Sequence, residues 1–255
     1  MRSRSDAGTG RTLIDAIHLE QITRPADPRL GDLMHLLNRA FPDPNSVLGL
    51  DRIQEFLSEN GLDASRKFVV LAAFDTSGLV GASIFSYVER SNCGFSEYLV
   101  VDHTRRQRGL GRVLFDGRQS ILDAEAVQHG HPACRGVFIE VDSPWRTPPD
   151  LLALESVDPI ERLKVFGHLG FRRVGIRYTQ PPLAADKQAV PHMDLLFAPR
   201  PPAPIDGVPS EWVTATLEAI WTAWTPDTVG RELADLHHQL ATPTVPLVDP
   251  LTPTT

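Results

Sequence analysis

Residues 97–115 read EYLVVDHTRRQRGLGRVLF: an apolar strand, a cluster of arginines, two glycines and the start of a helix. Gly109 and Gly111 let the backbone turn tightly and remove the Cβ that would hold a bulky anion away. The first turn of the helix that follows presents amide N–H groups with no intrahelical partner, and such a helix start binds phosphate. Arg105, Arg106, Arg108 and Arg112 add charge and hydrogen-bond donors, with Gln107 and Leu110 completing the turn. Two better-known phosphate loops do not fit. No Gly-Lys-Ser/Thr closes the turn, and the glycine spacing differs from the dinucleotide fingerprint.

On the N-terminal side of this stretch, Lys67 to Asp75 and Leu79 to Glu89 are rich in β-branched and aromatic residues, with Thr76-Ser77-Gly78 as a hairpin turn between them. Gly94 to Val101 follows, so an antiparallel meander feeds the glycine turn and a helix over 110–127. Upstream, the pattern predicts a strand over 16–23, a helix capped by Asp27 that Pro42 and Pro44 end, and a short helix over 51–59. Downstream come a buried strand over 136–142, a helix from Asp158-Pro159 to Leu169 stopped by Gly170, and strands over 171–180 and 192–197.

The whole chain has 255 residues, 42% hydrophobic and 22% charged, enough for one main domain with an appendage. A net charge of -7 argues against broad nucleic-acid binding and favours a cationic substrate. Cys93 and Cys134 show no paired spacing, which points to a reducing compartment and no disulfide framework. His129, His131 and Cys134 supply too few ligands for a zinc site, so no metal is expected. The N-terminus lacks an apolar signal region and no run approaches the roughly 18 apolar residues of a membrane span, so the reading is cytoplasmic.

The 22 prolines gather toward the C-terminus. Residues 199–209 read as a Pro-rich linker, and Val213, Leu217, Ile220, Trp221 and Trp224 then fall on one helical face. Residues 210–241 are expected as a helical extension that packs either on the main domain or on a second subunit as a homodimer. Residues 1–13 read as a disordered lead and 242–255 as a disordered tail.

The glycine turn resembles the Arg/Gln-x-x-Gly-x-Gly/Ala signature of the GNAT superfamily of acyl-CoA-dependent N-acyltransferases, preceded here by Leu99-Val100-Val101. Phe138 to Val141 is similar to that family's fifth strand, and Leu163 to Phe171 resembles its helix ending in Leu-Gly-Phe. The resemblance covers about residues 14–198. It implies an α/β (α+β) fold with a mixed, mostly antiparallel, splayed sheet flanked by helices, to which the helical periodicity beyond residue 209 adds the C-terminal helical extension. It also implies acetyl transfer from acetyl-CoA directly to a primary amine, with Arg106 to Gly111 holding the pyrophosphate and the Leu99–Val101 strand pairing with the pantetheine arm. A small-molecule acceptor is favoured over a protein lysine or N-terminal amine. The family's usual tyrosine acid is replaced by Phe166, which leaves Tyr178 as a substitute and raises a second reading, a non-catalytic acyl-CoA-binding module.

For the base, Glu97 has the strand parity of Leu99 and Val101 and lies close to where the acyl group is expected. Glu140 and Asp142 alternate on the next strand and are expected to bind the cationic amine, the alternative for Glu140 being an arginine pair. The loop 143–157, longer than such connections usually are, is expected to border the acceptor site.

Overall fold

The computed structural model describes residues 17–59, 65–106, 109–155, 157–200, 206–225 and 229–253. Strands β1 (His18–Ile22), β2 (Arg66–Asp75), β3 (Gly78–Val88) and β4 (Cys93–Val101) pair antiparallel in chain order. β5 (Gly136–Asp142) lies parallel to β4, and β6 (Arg172–Val174), β7 (Met193–Pro199), β8 (Gly207–Pro209) and β9 (Thr244–Val248) complete the sheet in the order β1-β2-β3-β4-β5-β7-β6-β9-β8. The fold is therefore mixed α/β with a mostly antiparallel sheet, as the residue patterns predict.

Helices α1 (Arg29–Ala40), α2 (Leu50–Glu59), α6 (Ser210–Trp224) and α7 (Gly230–Gln239) contribute to one core with Ile84, Phe95, Tyr98 and Phe138. On the opposite face α3 (Leu110–Gln128) packs on Phe85 and Tyr87, and α5 (Pro159–His168) packs on Ile139, Val141 and Leu196. A four-residue helix, α4 (Pro149–Leu152), occupies the 143–157 loop. Asp27 starts α1 by accepting from the Arg29 amide at 3.0 Å, and Asp158 starts α5 by accepting from the Ile160 amide at 2.8 Å.

Two features position everything else. The β4–β5 ladder holds only Gly94–Ser96 against Val137–Ile139, after which the strands part. Between Phe85↔Ser96 and Ile84↔Tyr98 the register skips Glu97, making it the extra residue of a β-bulge. The bulge reverses the expected parity. Tyr98 and Val100 enter the core beneath α1 and α6, whereas Leu99 and Val101 pack on the α3 side. Glu97 turns toward Ser86 on the former face, so it does not share a face with Leu99 and Val101.

The C-terminal region differs from the composition-based reading. Val245 and Leu247 are buried, and β9 pairs with β6 through Val174↔Leu247 and with β8 through Val208↔Val245. Apolar alternation thus outweighs the prolines, and residues 244–248 are not a disordered tail nor 207–209 a free linker. The expected 171–180 strand stops at Val174, because the Ile176 amide turns back to the Val174 carbonyl at 2.8 Å and Arg177 bonds the Gln239 side chain at 2.7 Å. Expectations for residues 1–13 lie outside the described residues.

The stripe of Val213, Leu217, Ile220, Trp221 and Trp224 is buried within the same chain, where Trp224 meets Phe95 edge-on at 5.7 Å. The apolar face on which a homodimer was expected is therefore covered in cis. No helix among the described residues is long and apolar enough to cross a membrane. Because Leu217 is fully buried in this joint core, Leu217→Ala is expected to cost about 2–5 kcal/mol in urea denaturation. Deletion after Arg200 is expected to give a dye-binding species with no cooperative transition, whereas an unchanged melting temperature would mark the extension as dispensable.

Candidate active site

Where β4 and β5 part, a cleft of about 700 Å³ opens through the sheet. One end is walled by Gly109, Gly111, Arg106 and Arg112 of the turn into α3 and by Phe166 of α5. The other is walled by Phe41, Ser46, Tyr98, Gln180 and Met193, on the face under α1 and α6.

At the turn, Gly109 adopts φ 77°, a left-handed conformation that favours glycine, and caps α3 without a side chain. A Cβ at Gly109 would meet nothing within 4 Å, and one at Gly111 would meet only a Val101 methyl, at 4.0 Å. The glycines are thus not demanded by the protein's own packing, and the space over them is open. The first intrahelical bonds run from the Arg112 and Val113 amides to the Gly109 carbonyl, leaving the preceding amides as the donors of the helix start. Arg105 is tied to Asp75 at 2.9 Å and Arg112 to Asp116 at 2.9 Å, while Arg106 lines the cleft. Gln107 and Arg108 lie outside the described residues. Leu99, Val100 and Val101 line the same cleft, and their strand edge on the β5 side is unpaired beyond Ser96. An open strand edge leading to a glycine-bounded helix start fits an extended arm with a pyrophosphate at its end.

At the other end lie two carboxylates. Glu97 is only 8% exposed; Ser86 Oγ donates to its Oε1 at 2.6 Å, and its Oε2 has no partner. Burial pushes the Glu97 carboxyl up to about 7, against the Ser86 hydrogen bond and the charges of Arg66 and Arg118. Arg66 in turn donates to Ser86 Oγ at 3.3 Å. Glu140 receives hydrogen bonds from the Tyr178 hydroxyl at Oε1 and from Gln180 Nε2 at Oε2, the latter at 2.7 Å. Burial raises it to about 7 as well, opposed by those two bonds and assisted by the charge of Glu97. The alternative of an arginine pair for Glu140 gives way to a tyrosine and a glutamine.

Tyr178 is not among the described residues lining the cleft. It is fully buried behind Glu140, and burial together with the Glu140 charge moves its phenol well above the ordinary value. Its hydroxyl is committed to Glu140 and accepts from Trp221 Nε1 at 3.2 Å. Asp142 reaches the cleft, where Arg162 holds it at 3.3 Å while also pairing with Glu155, so one guanidinium serves two carboxylates. Of the 143–157 loop, Val157 lines the cleft, while Arg146 binds Asp194 at 2.9 Å and the Pro191 carbonyl at 2.9 Å. Gln180 and Ser86 were not singled out by the sequence: neither belongs to a spaced motif, and only the folded chain carries them to the carboxylates.

No protein-family model and no curated protein sequence matches the chain. Solved structures similar to it include the ribosomal-protein-S18-alanine N-acetyltransferase from Escherichia coli, at 15% identity over 74% of this chain and 96% of that one, with a TM-score of 0.45. Another is the PaiA N-acetyltransferase from Thermoplasma acidophilum in complex with coenzyme A, at 10% identity over 72% and 99%, with a TM-score of 0.48. A third is a GNAT-family acetyltransferase from Bacteroides thetaiotaomicron, at 17% identity over 72% and 87%, with a TM-score of 0.47. At these identities and scores the likeness assigns no activity to this chain.

The buried Glu97 makes a test independent of any reaction. Its folded value of about 7 exceeds the ordinary 4.5, so between those values the folded state binds more protons than the unfolded one and loses stability as pH rises. Glu97→Gln, which cannot ionise, is expected to be more stable than the parent by on the order of 2–3 kcal/mol at about pH 8 and equal to it near pH 4. Urea denaturation across that range measures the difference; a gain that is constant with pH would mean that Glu97 does not titrate abnormally.

Proposed function

We propose that this protein is an acyltransferase of the GNAT type, moving an acetyl group from acetyl-CoA to a primary amine of a small molecule. One observation carries the reading. A single cleft joins an open strand edge and a left-handed glycine helix start on one face of the sheet to the buried Glu97 and the half-buried Glu140 on the other. The amides of the turn and Arg106 would hold the pyrophosphate, and Leu99–Val101 the pantetheine arm. The acceptor then approaches from the face of Phe41 and Tyr98.

In the reaction the amine nitrogen forms a bond to the thioester carbonyl carbon, the C–S bond breaks, the thiolate leaves with the electron pair, and the nitrogen gives up its second proton to water or to the departing thiolate. The amine arrives protonated, so the protein must first take a proton. Glu97 suits this: its Oε2 is unpartnered, and a value near 7 matches a base operating at neutral pH. Tyr178 is better placed to hold Glu140 than to serve as an acid, and Phe166, on the cleft wall, has no proton to donate. The thiolate accordingly leaves unassisted or through water. That same Phe166 also motivates the second reading, an acyl-CoA-binding module without turnover.

Screening acetyl-CoA consumption against a panel of small amines separates the two. Turnover with any amine excludes the binding module, and tight CoA binding without turnover across the panel supports it. Gly109→Asp is expected to weaken CoA at least about tenfold in calorimetry, since it brings a carboxylate and a strained left-handed side chain to the turn. Unchanged affinity in the folded variant would sink the cofactor assignment. Glu97 must be ionised to accept a proton, so kcat/KM is expected to fall as pH drops through about 7. Glu97→Gln is expected to reduce kcat by roughly 10²-fold with little change in KM for acetyl-CoA.

A further inference from the structure

The carboxylate end of the cleft has an unusual balance of hydrogen-bonding groups. Glu97 Oε2 and Gln180 Oε1 are both buried acceptors without a partner, in residues 8% and 3% exposed that line the same cleft. The Gln180 orientation is set by Glu140, because a carboxylate only accepts and so draws the amide nitrogen, at 2.7 Å, leaving the amide oxygen over. Glu140, half-buried on the cleft wall, adds a second carboxylate within electrostatic reach of Glu97. Unmatched buried acceptors are costly unless a ligand supplies donors. A primary ammonium carries three donors and a positive charge, which answers both deficits.

We infer that Glu97, Glu140 and Gln180 form a seat for the ammonium group of the acceptor, held in place from the C-terminal extension by Trp221 through Tyr178. The inference rests on the acetyl-transfer reading and specifies its acceptor as a cationic primary amine with an apolar body lying against Phe41 and Met193. The hydrogen bonds run in one direction. Trp221 Nε1–H donates to the Tyr178 oxygen at 3.2 Å, and the Tyr178 O–H donates to Glu140, so each step favours the ionised carboxylate. Trp221 and Tyr178 are positioning residues: neither lines the cleft, and both act through Glu140. Helix α6 thereby belongs to the acceptor site as well as to the core.

Arg66 from β2 acts on Glu97 from its own face and the charge of Arg118 from α3 acts across the sheet, while Glu97 itself, Asp142 and Tyr178 act on Glu140, and Tyr98 senses both carboxylates. Arg66 reaches Glu97 through Ser86, and Arg118 donates to Ser96 Oγ at 2.6 Å. Neither arginine is among the described residues lining the cleft.

The test uses the full-length protein without acetyl-CoA, titrating phenethylammonium and its neutral counterpart 2-phenylethanol by calorimetry. The cation is expected to bind at least about tenfold more tightly near pH 8.5, with the preference lost near pH 5.5 as the carboxylates protonate. Glu140→Gln, close to isosteric, is expected to abolish the preference. Tyr178→Phe and Trp221→Phe are expected to weaken the cation by roughly three- to tenfold while leaving CoA affinity unchanged. They should also shift the pH at which the preference appears upward, a change that loosened packing alone would not produce. Absence of a cation preference, or its persistence in Glu140→Gln, overturns the seat; if Glu140→Gln fails to fold, Glu97→Gln serves the same comparison. Preference without acetyl-CoA turnover would sink the proposed reaction and leave the seat standing, and turnover without preference would do the reverse.

Discussion

Three parallel residue pairs, Gly94–Ser96 against Val137–Ile139, are all that join β4 to β5, and the rest of the architecture depends on their being so few. Beyond them β4 stays paired with β3 and β5 with β7, so the two halves of the sheet part. A sheet that parts leaves main-chain groups unpaired, which a buried sheet interior does not tolerate. Here they border a cleft, and the cleft runs from one face of the sheet to the other. The bulge at Glu97 sits at the point of parting. It turns two successive side chains, Glu97 and Tyr98, toward the same face, and the next residues then alternate in the opposite sense.

The energetic consequence is concentrated in the carboxylates. Displacement of Glu97 from 4.5 to about 7 corresponds to on the order of 3 kcal/mol, at about 1.4 kcal/mol per pH unit. That is a substantial share of a total stability that is typically only about 5–15 kcal/mol. The desolvation that raises Glu97 is opposed by Ser86 and by Arg66 behind it, and that acting on Glu140 by Tyr178 and Gln180, so neither group is driven fully neutral. Groups balanced in this way exchange protons near neutral pH. Uncompensated burial would make them inert acids, and full ion pairing would make them permanent anions.

The C-terminal extension stabilises this balance. Its apolar stripe closes the core over Phe95 and Phe138, and Arg52 of α2 donates to carbonyls at the end of α6, including Trp224 at 3.3 Å. β9 then returns to pair with β6, so the chain is tied to the sheet at both ends of the extension. Burial of Trp221 in that core is what sets its indole N–H beside Tyr178.

The amino-acid chain alone makes legible the meander, the glycine turn into α3, the caps at Asp27 and Asp158, and the apolar stripe of α6, because each is set by residue spacing and backbone preference within a short window. It also placed Glu97 and Glu140 on adjacent strands. The tertiary structure alone decided which way those residues face. A bulge is a mismatch between two strands and leaves no mark in either one, so the parity of Glu97 against Leu99 could not be read from β4. Tyr178, Gln180 and Trp221 reach Glu140 from 38, 40 and 81 positions away along the chain, Trp221 through Tyr178. No local periodicity encodes such separations. Asp142 shows the same limit from the other side: its charge was legible, but its pairing with Arg162, which Glu155 shares, depends on α5 packing back across β5. The 244–248 strand was hidden by its prolines, since burial of Val245 and Leu247 exists only once β6 and β8 are there to receive them.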